Sequence, residues 1–443
     1  RRQRQMCIRD RHHTVRALFN ALTLPIILSA CGGSGSDTTP APGANTSIPT
    51  IATGRFLDSA VEGLGYESGD ITGITDSQGT FQYKEINNVS QPVTFSFNGV
   101  ELGTALGRAV ITPLDLVPNA DLETVAVQNI ARFIQMFDND GDLGNGISPS
   151  MDLMSAMLTL VWQPVNFSDN DFVNQPAVTQ IIADASSVDS RVYSLPSTEQ
   201  ATAHLKQTLA CQSSGIFSGD FSGDDAGKFV LWIQDQRIDE ALFGDDSPRI
   251  GVTSAYIYST TEDRLIGVAP QEGLQFNSGN RFVAGRASNG AEFSGNIVDF
   301  NRITEGAWQN GIEGGEGVFS GSRVAGNLDA KYRLGGAIGT LILADATADN
   351  TGAIALDVFA DNRVQGVVVT SRGNRYSIAG TLNGDTVLAT SEDGLTANII
   401  FDSTGQHADN LGVGLHGQAG FWGTWQAGGN NGVLIGTSCE LNP

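Results

Sequence analysis

Basic side chains are scarce: 25 Lys and Arg stand against 48 Asp and Glu, a formal net charge of −23. That balance repels phosphate backbones and anionic headgroups, so nucleic-acid binding and polybasic docking on a membrane are excluded, and cations are the natural counter-partners. Histidine is rarer still, with 5 in the chain, and no His-Glu-x-x-His, Gly-x-Ser-x-Gly, P-loop or dinucleotide fingerprint occurs. Aromatic residues make up 7% of the chain, few for the ring platforms that sugar clefts use, and carboxylate-pair glycoside hydrolysis has no spacing signature that would single out two acids here. Long apolar runs are also missing. The stretch from Ala17 to Ile27 is shorter than the roughly 20 residues that span a bilayer. With 16% charged and 40% hydrophobic residues the chain still has a folding composition, and its length fits two or three domains.

Cysteine is confined to Cys7, Cys31, Cys211 and Cys439. Cys31 ends the motif Leu28-Ser29-Ala30-Cys31, which closes the apolar run and opens a Gly/Ser/Thr/Pro stretch. Small residues at Ser29 and Ala30 let a peptidase close over the backbone, and the Cys31 sulfur can take a thioether-linked lipid. In these features the chain resembles a bacterial lipoprotein. That resemblance implies removal of residues 1–30 and lipidation at Cys31, with Arg1 to Arg11 reading as foreign sequence. With Gly32 rather than Asp after the cysteine, it also implies the outer membrane, where the protein would meet an extracellular or envelope ligand. Loss of residues 1–30 removes six Arg and one Asp, leaving 19 basic and 47 acidic residues and a net charge near −28. The remaining pair, Cys211 and Cys439, is a disulfide candidate in an oxidising compartment; neither has a second Cys or His at zinc-ligand spacing.

Residues 31–53 combine Gly/Ser flexibility with Pro stiffening and read as lipid anchor and tether. From Gly54 to Gly103 short alternating apolar runs are separated by Gly and Asp, the pattern of antiparallel strands. Asp58, Val61, Gly63 and Tyr66, followed by Thr75-Asp76-x-x-Gly79-x-Phe81-x-Tyr83, resemble a carboxypeptidase-regulatory or transthyretin-like β-sandwich module. That resemblance implies a turn at Asp76 and Gly79 and inward rings at Phe81 and Tyr83. The period then changes. Val127, Ile130, Phe133, Ile134 and Phe137 fall three or four apart and predict an amphipathic helix over 126–137. Further helices are expected at 152–160 and at 197–211, the latter with Ser197 and Gln200 at capping-box spacing. Residues 54–212 form one expected unit, and its start, helix and acidic turn resemble uncharacterised surface lipoproteins.

The helix over 126–137 runs into Asp138-Asn139-Asp140-Gly141-Asp142. Close-packed carboxylates suit Ca²⁺, so Asp138, Asp140 and Asp142 are the candidate metal ligands and calcium the one candidate cofactor. The loop departs from an EF-hand: Gly141 stands fourth rather than sixth, and the twelfth position is Pro149. The alternative is a polar helix end whose side chains cap backbone. A second cluster, Asp220, Asp224 and Asp225, reads as a solvated hairpin turn. The histidines outside residues 1–30, His204, His407 and His416, read as structural or surface residues.

Beyond Cys211 the sequence is Gly-rich and strand-like, and it repeats. Glu305-Gly-Ala-Trp308 with Gly317-Val-Phe-Ser-Gly321 matches Trp422-Gly-Thr-Trp425 with Gly432-Val-Leu-Ile-Gly436. Turn signals recur at 223–227, 288–290, 349–352 and 382–385, a cadence that fits antiparallel meanders. Residues 213–325 and 326–443 are therefore two tandem β units, barrels or sandwiches, with Trp308 and Trp425 packed into their cores. Their Gly-x-Phe/Leu-x-Gly strand endings resemble the barrel lobes of transferrin-binding-type surface lipoproteins. The fold class is mainly β with a helical segment. The expected role is non-catalytic binding or adhesion at the cell surface; a structural envelope component or a carrier of an apolar ligand in the barrel interiors are the alternatives.

Overall fold

The structure is a computed structural model and describes residues 49–189, 191–234, 251–277, 281–327, 329–340, 343–404 and 419–441. The lipobox, Cys7, Cys31, His407 and His416 lie outside these residues.

The N-terminal module contains strands β1 (Pro49–Phe56), β2 (Gly65–Ser68), β3 (Ile71–Ile74), β4 (Thr80–Ile86), β5 (Val89–Ser90), β6 (Pro92–Phe97), β7 (Val100–Leu106) and β8 (Val110–Ile111). They form two four-stranded sheets, ordered β5-β4-β1-β8 and β3-β2-β6-β7. Alternation decides which faces are buried: Val93, Phe95 and Phe97 of β6 point inward and their neighbours do not. Phe95 meets Phe56 at 4.8 Å and Phe81 edge-on at 5.0 Å, joining the two sheets through aromatic contact. Phe81 and Tyr83 are buried. The Asp76 carboxylate accepts from Gln78 and Thr80 backbone N–H, each at 2.9 Å, and Gly79 takes the positive φ of 68° that the turn needs.

One boundary differs from expectation. Residues 49–53, assigned to the tether, are already strand, because Pro49 to Thr53 pair with Ile86 to Gln82. The ladder satisfies their backbone without the apolar alternation that would have marked them.

Helices α1 (Val125–Gln135), α2 (Met151–Met157), α3 (Pro176–Val188) and α4 (Thr198–Ser213) complete the module. In α1 Val127, Ile130, Phe133 and Ile134 are buried, and Phe137 follows them inward from the turn beyond the helix. The α2 helix stops at Met157, short of the expected 160. The capping box of α4 is formed, with Gln200 N–H donating to Ser197 Oγ at 3.2 Å and Ser197 N–H to Gln200 Oε1 at 3.1 Å. The α3 helix was not foreseen, although Pro176 at its first turn and buried Val178, Ile181 and Ala185 carry the signal. Among the described residues no helix is long and apolar enough to cross a membrane.

The first β unit contains β9 (Gly215–Gly223), β10 (Gly227–Gln234), β11 (Val252–Ser259), β12 (Arg264–Glu272), β13 (Arg281–Arg286), β14 (Ala291–Val298), β15 (Arg302–Asn310) and β16 (Glu316–Arg323). The second contains β17 (Tyr332–Gly339), β18 (Gly352–Val358), β19 (Arg363–Thr370), β20 (Arg375–Asn383), β21 (Thr386–Thr390), β22 (Thr396–Asp402), β23 (Gly420–Ala427) and β24 (Asn430–Glu440). Both are antiparallel up-and-down meanders. The second is a closed barrel, with β17 paired to β24. The first rolls up in the same way, β16 pairing with β9, but among the described residues the seam between β12 and β13 is crossed by the bridge Val268–Ala287 and one backbone bond, Ser288 N–H to Gly267 C=O at 2.9 Å. All four turn signals fall between strands or at a strand end or start.

The tandem repeat holds at the level of register. Trp308 lies opposite Gly317, and Trp425 opposite Gly432, on the last strand pair of each unit. A Cβ on Gly317 would stand 2.4 Å from Trp308 Nε1, and one on Gly432 2.9 Å from Trp425 Nε1. Each indole thus lies over a glycine that must remain a glycine.

The barrels pack wall to wall. Ile216, Val230 and Trp232 on the outside of β9 and β10 meet Ala353, Ala355, Val367 and Val369 on β18 and β19. This explains why every residue of β18 is buried, since one face fills its own barrel and the other its neighbour. Where α4 ends beside this contact, two arginines receive it, Arg333 buried and Arg323 half-buried. Arg323 donates to Phe300 C=O at 2.7 Å, to Gln212 C=O at 2.8 Å and to Ser214 C=O, while Arg333 reaches Gln212 C=O at 3.3 Å. Cations here oppose the negative end of the helix dipole. Burial pulls both arginines below their ordinary pKa, and Asp357, 3.9 Å from Arg333 and itself pushed up by burial, offsets part of that cost. A disulfide between Cys211 on α4 and Cys439 on β24 joins the N-terminal module to the last strand.

Candidate functional site

Three places bring polar or cavity-lining chemistry together. The acidic turn after α1 spends its carboxylates on itself. Asp138 accepts from Gly141 N–H at 2.7 Å and Ser148 N–H at 3.4 Å, Asp140 from Asp142 N–H at 2.8 Å and Asn145 Nδ2 at 2.9 Å, and Asp142 from Gly144 N–H at 3.1 Å. Burial pushes the Asp138 carboxyl up, and the Asn145 hydrogen bond holds Asp140 down. Among the described residues no three His, Cys, Asp or Glu side chains converge as a metal-binding group.

The second place is a cleft with a cavity volume of about 560 Å³ between the turn after β1, α4 and β24. Ser59 sits in this turn at φ 56°, left-handed for a residue with a Cβ. Its N–H donates to Thr208 Oγ1 at 3.1 Å and its Oγ lies 3.1 Å from His204 Nε2. The same Nε2 is 3.2 Å from Asp58 C=O and 3.9 Å from the Asp58 carboxylate. Asp58 is fully buried, accepts from Gln135 Nε2 at 2.9 Å, and is pushed up to about 6 by burial, with His204 and Gln135 opposing the shift. A nucleophile relay needs the acid on one ring nitrogen and the serine on the other. Here every oxygen meets the same nitrogen, so His204 pins a strained turn. The burial of Asp58 was invisible in sequence, where it counted only as a motif position.

The third place is inside the first barrel. The N-terminal module closes the lower end: Leu57, Leu114, Val127, Leu205 and Leu209 share one apolar cluster with Phe217, Ile233 and Ile303 of the barrel. Above them remains a slot of about 60 Å³, lined by Phe221, Phe229, Phe293, Trp308, Phe319 and aliphatic side chains, with Asp225 and Asn289 at the loop end. The rings meet edge-on, Phe221 with Trp308 at 6.2 Å, Phe229 with Phe319 at 5.5 Å and Phe293 with Phe319 at 5.9 Å. Trp308 is half-buried and donates from Nε1 to Ser222 C=O at 3.3 Å. It therefore lines a cavity rather than filling a core, whereas Trp425 is buried among Phe401, Phe421 and Leu434 in the second barrel.

At the mouth, Asp225 is more than a solvated turn residue: Ser259 Oγ donates to it at 2.8 Å and Ala226 N–H at 2.7 Å. Asp220 pairs with Lys228, and Asp224 accepts from Glu316 N–H at 3.0 Å. Asn289 Nδ2 donates to Glu313 at 3.3 Å, and Glu313 holds Arg264 at 3.2 and 2.9 Å, with Glu262 on the same guanidinium at 2.9 Å. Those carboxylates, Glu313 foremost, raise the Arg264 pKa further, and Arg264 in turn holds Glu313 down. Sequence reasoning missed this site. Its trace is five rings at alternate, inward positions of one repeat. Comparison with known protein families, curated proteins and solved structures finds no match to this chain.

Proposed function

We propose that this chain is a lipid-anchored, extracytoplasmic binding protein that holds a small apolar ligand inside its first barrel. The observation that carries the reading is the difference between two barrels of one repeat. The second is closed, with Phe401, Phe421, Trp425 and Leu434 buried in its core; the first keeps a ring-lined slot and, among the described residues, a wall joined between β12 and β13 by one bridge and one backbone hydrogen bond. Weak pairing at one seam is the low-cost route by which a barrel wall can part for a ligand. Few, convergent polar groups at the rim of an apolar cavity are the pattern of small-molecule sites. Anchoring at Cys31 rests on the lipobox and the Gly/Ser/Pro stretch that follows it.

The test is solvent extraction of the purified protein followed by mass spectrometry, with Ala291→Phe, which fills the slot, as the paired control. A co-purifying apolar compound present with the wild type and absent from the variant is the expected result. Equal amounts in both would remove the slot from the argument.

A further inference from the structure

We infer that the group bound in the first-barrel slot is a compact alkylated ammonium, so that the slot serves as a ring-lined cage for a cation. The inference deepens the binding reading above and rests on it. Three features of the site point the same way.

The first is size. A slot of about 60 Å³ falls far below the 300 Å³ or more of sites for drug-sized ligands, and suits a short, rounded group rather than a long chain or a fused ring system. The second is the lining. Phe221, Phe229, Phe293, Trp308 and Phe319 all contribute to it, and aromatic rings attract a cation within about 6 Å through their negative faces while accepting its methyl groups as apolar surface. The third is the sign of the mouth. Arg264 is surrounded by Glu313, Glu262 and Asp225, one positive against three negative charges. Its guanidinium is already taken by Glu313 and Glu262. An anionic head would enter against that excess, a neutral one would gain nothing from it, and a cation is drawn by it and by the chain's net charge of −23.

Isothermal titration of the full-length protein with choline, and with dimethylbutanol, its uncharged isostere in which carbon replaces the ammonium nitrogen, reads the inference directly. Choline is expected to bind about tenfold or more tightly than the alcohol. Asp225→Asn should weaken choline binding several-fold more than it weakens binding of the alcohol, and Ala291→Phe or Ala255→Phe should abolish binding of both; far-ultraviolet circular dichroism identifies which of the two filling variants is folded. Equal or tighter binding of the alcohol overturns the cation inference and leaves the apolar reading standing. Choline binding that survives in a folded filling variant places the cation on the acidic surface and also overturns it. If neither choline nor the alcohol binds, the cation inference falls, and the solvent-extraction test decides the barrel reading separately.

Discussion

Single residues in this protein carry charge into places where water does not follow. Asp58 titrates near 6 in the fold against an ordinary 3.8, chiefly because it is buried. Between those values the folded chain holds a proton that the unfolded chain has released. The contribution of Asp58 to stability is therefore fully present below about pH 4 and is lost as pH rises through 6, by about 3 kcal/mol at most. Asp58→Asn keeps an acceptor for Gln135 and removes the charge. Its melting temperature should exceed that of the wild type at pH 8 and match it near pH 4; parallel curves across that range would refute the account. Arg323 is the opposite case, a half-buried cation whose partners are mainly carbonyls. Arg323→Ala strands the carbonyls of Gln212, Ser214 and Phe300 and should cost about 3 kcal/mol in denaturant unfolding. A loss under 1 kcal/mol would mean that water replaces the guanidinium. Neither role was legible in the sequence, since Asp58 and Arg323 are given their surroundings by elements more than a hundred residues away, α4 among them.

Elements whose signal is local were the most legible. The Ser197–Gln200 capping box, the Asp76 turn and the Trp-over-Gly pairing of each final hairpin all depend on residues within a few positions of one another or on one shared register. The α3 helix had an equally local signal in Pro176 and its apolar spacing, and was missed because Ser, Asp and Ala around it dilute the pattern. Strand β1 began early because its first residues are held by pairing alone. The acidic turn after α1 makes a prediction at this scale. Its carboxylates already accept from their own backbone, so melting with EDTA and with millimolar Ca²⁺ should agree within about 1 °C. A rise of several degrees with calcium that disappears in Asp138→Ala/Asp140→Ala would show that the turn rearranges to hold the ion.

For the molecule as a whole, the sequence showed the β class, the tandem units and their shared ending, because all three are repeated in the text. It did not show which unit would carry a ring-lined slot. That depends on how inward side chains meet across a barrel: aliphatic residues with Phe401, Phe421 and Trp425 are buried together in the second, while five rings line the slot of the first. Nor did it show the wall-to-wall contact, although β18, apolar or small at nearly every position, reads in retrospect as a strand with two buried faces. The pairing of Cys211 with Cys439 was legible by elimination. Replacing both by Ser should lower stability by about 2 to 5 kcal/mol, with the loss felt where α4 meets β24.

That bond has a second consequence, in covalent topology. With its ends 228 positions apart, the backbone from α4 to β24 is a ring, and both barrels are threaded on it. One proteolytic cut in any exposed turn of either barrel opens the ring and releases nothing: the nicked protein should keep its full mass on a non-reducing gel and fall into two pieces only when a thiol is added. Were the N-terminal end anchored as proposed, the ring would mean that a first cut leaves every part of the molecule still attached.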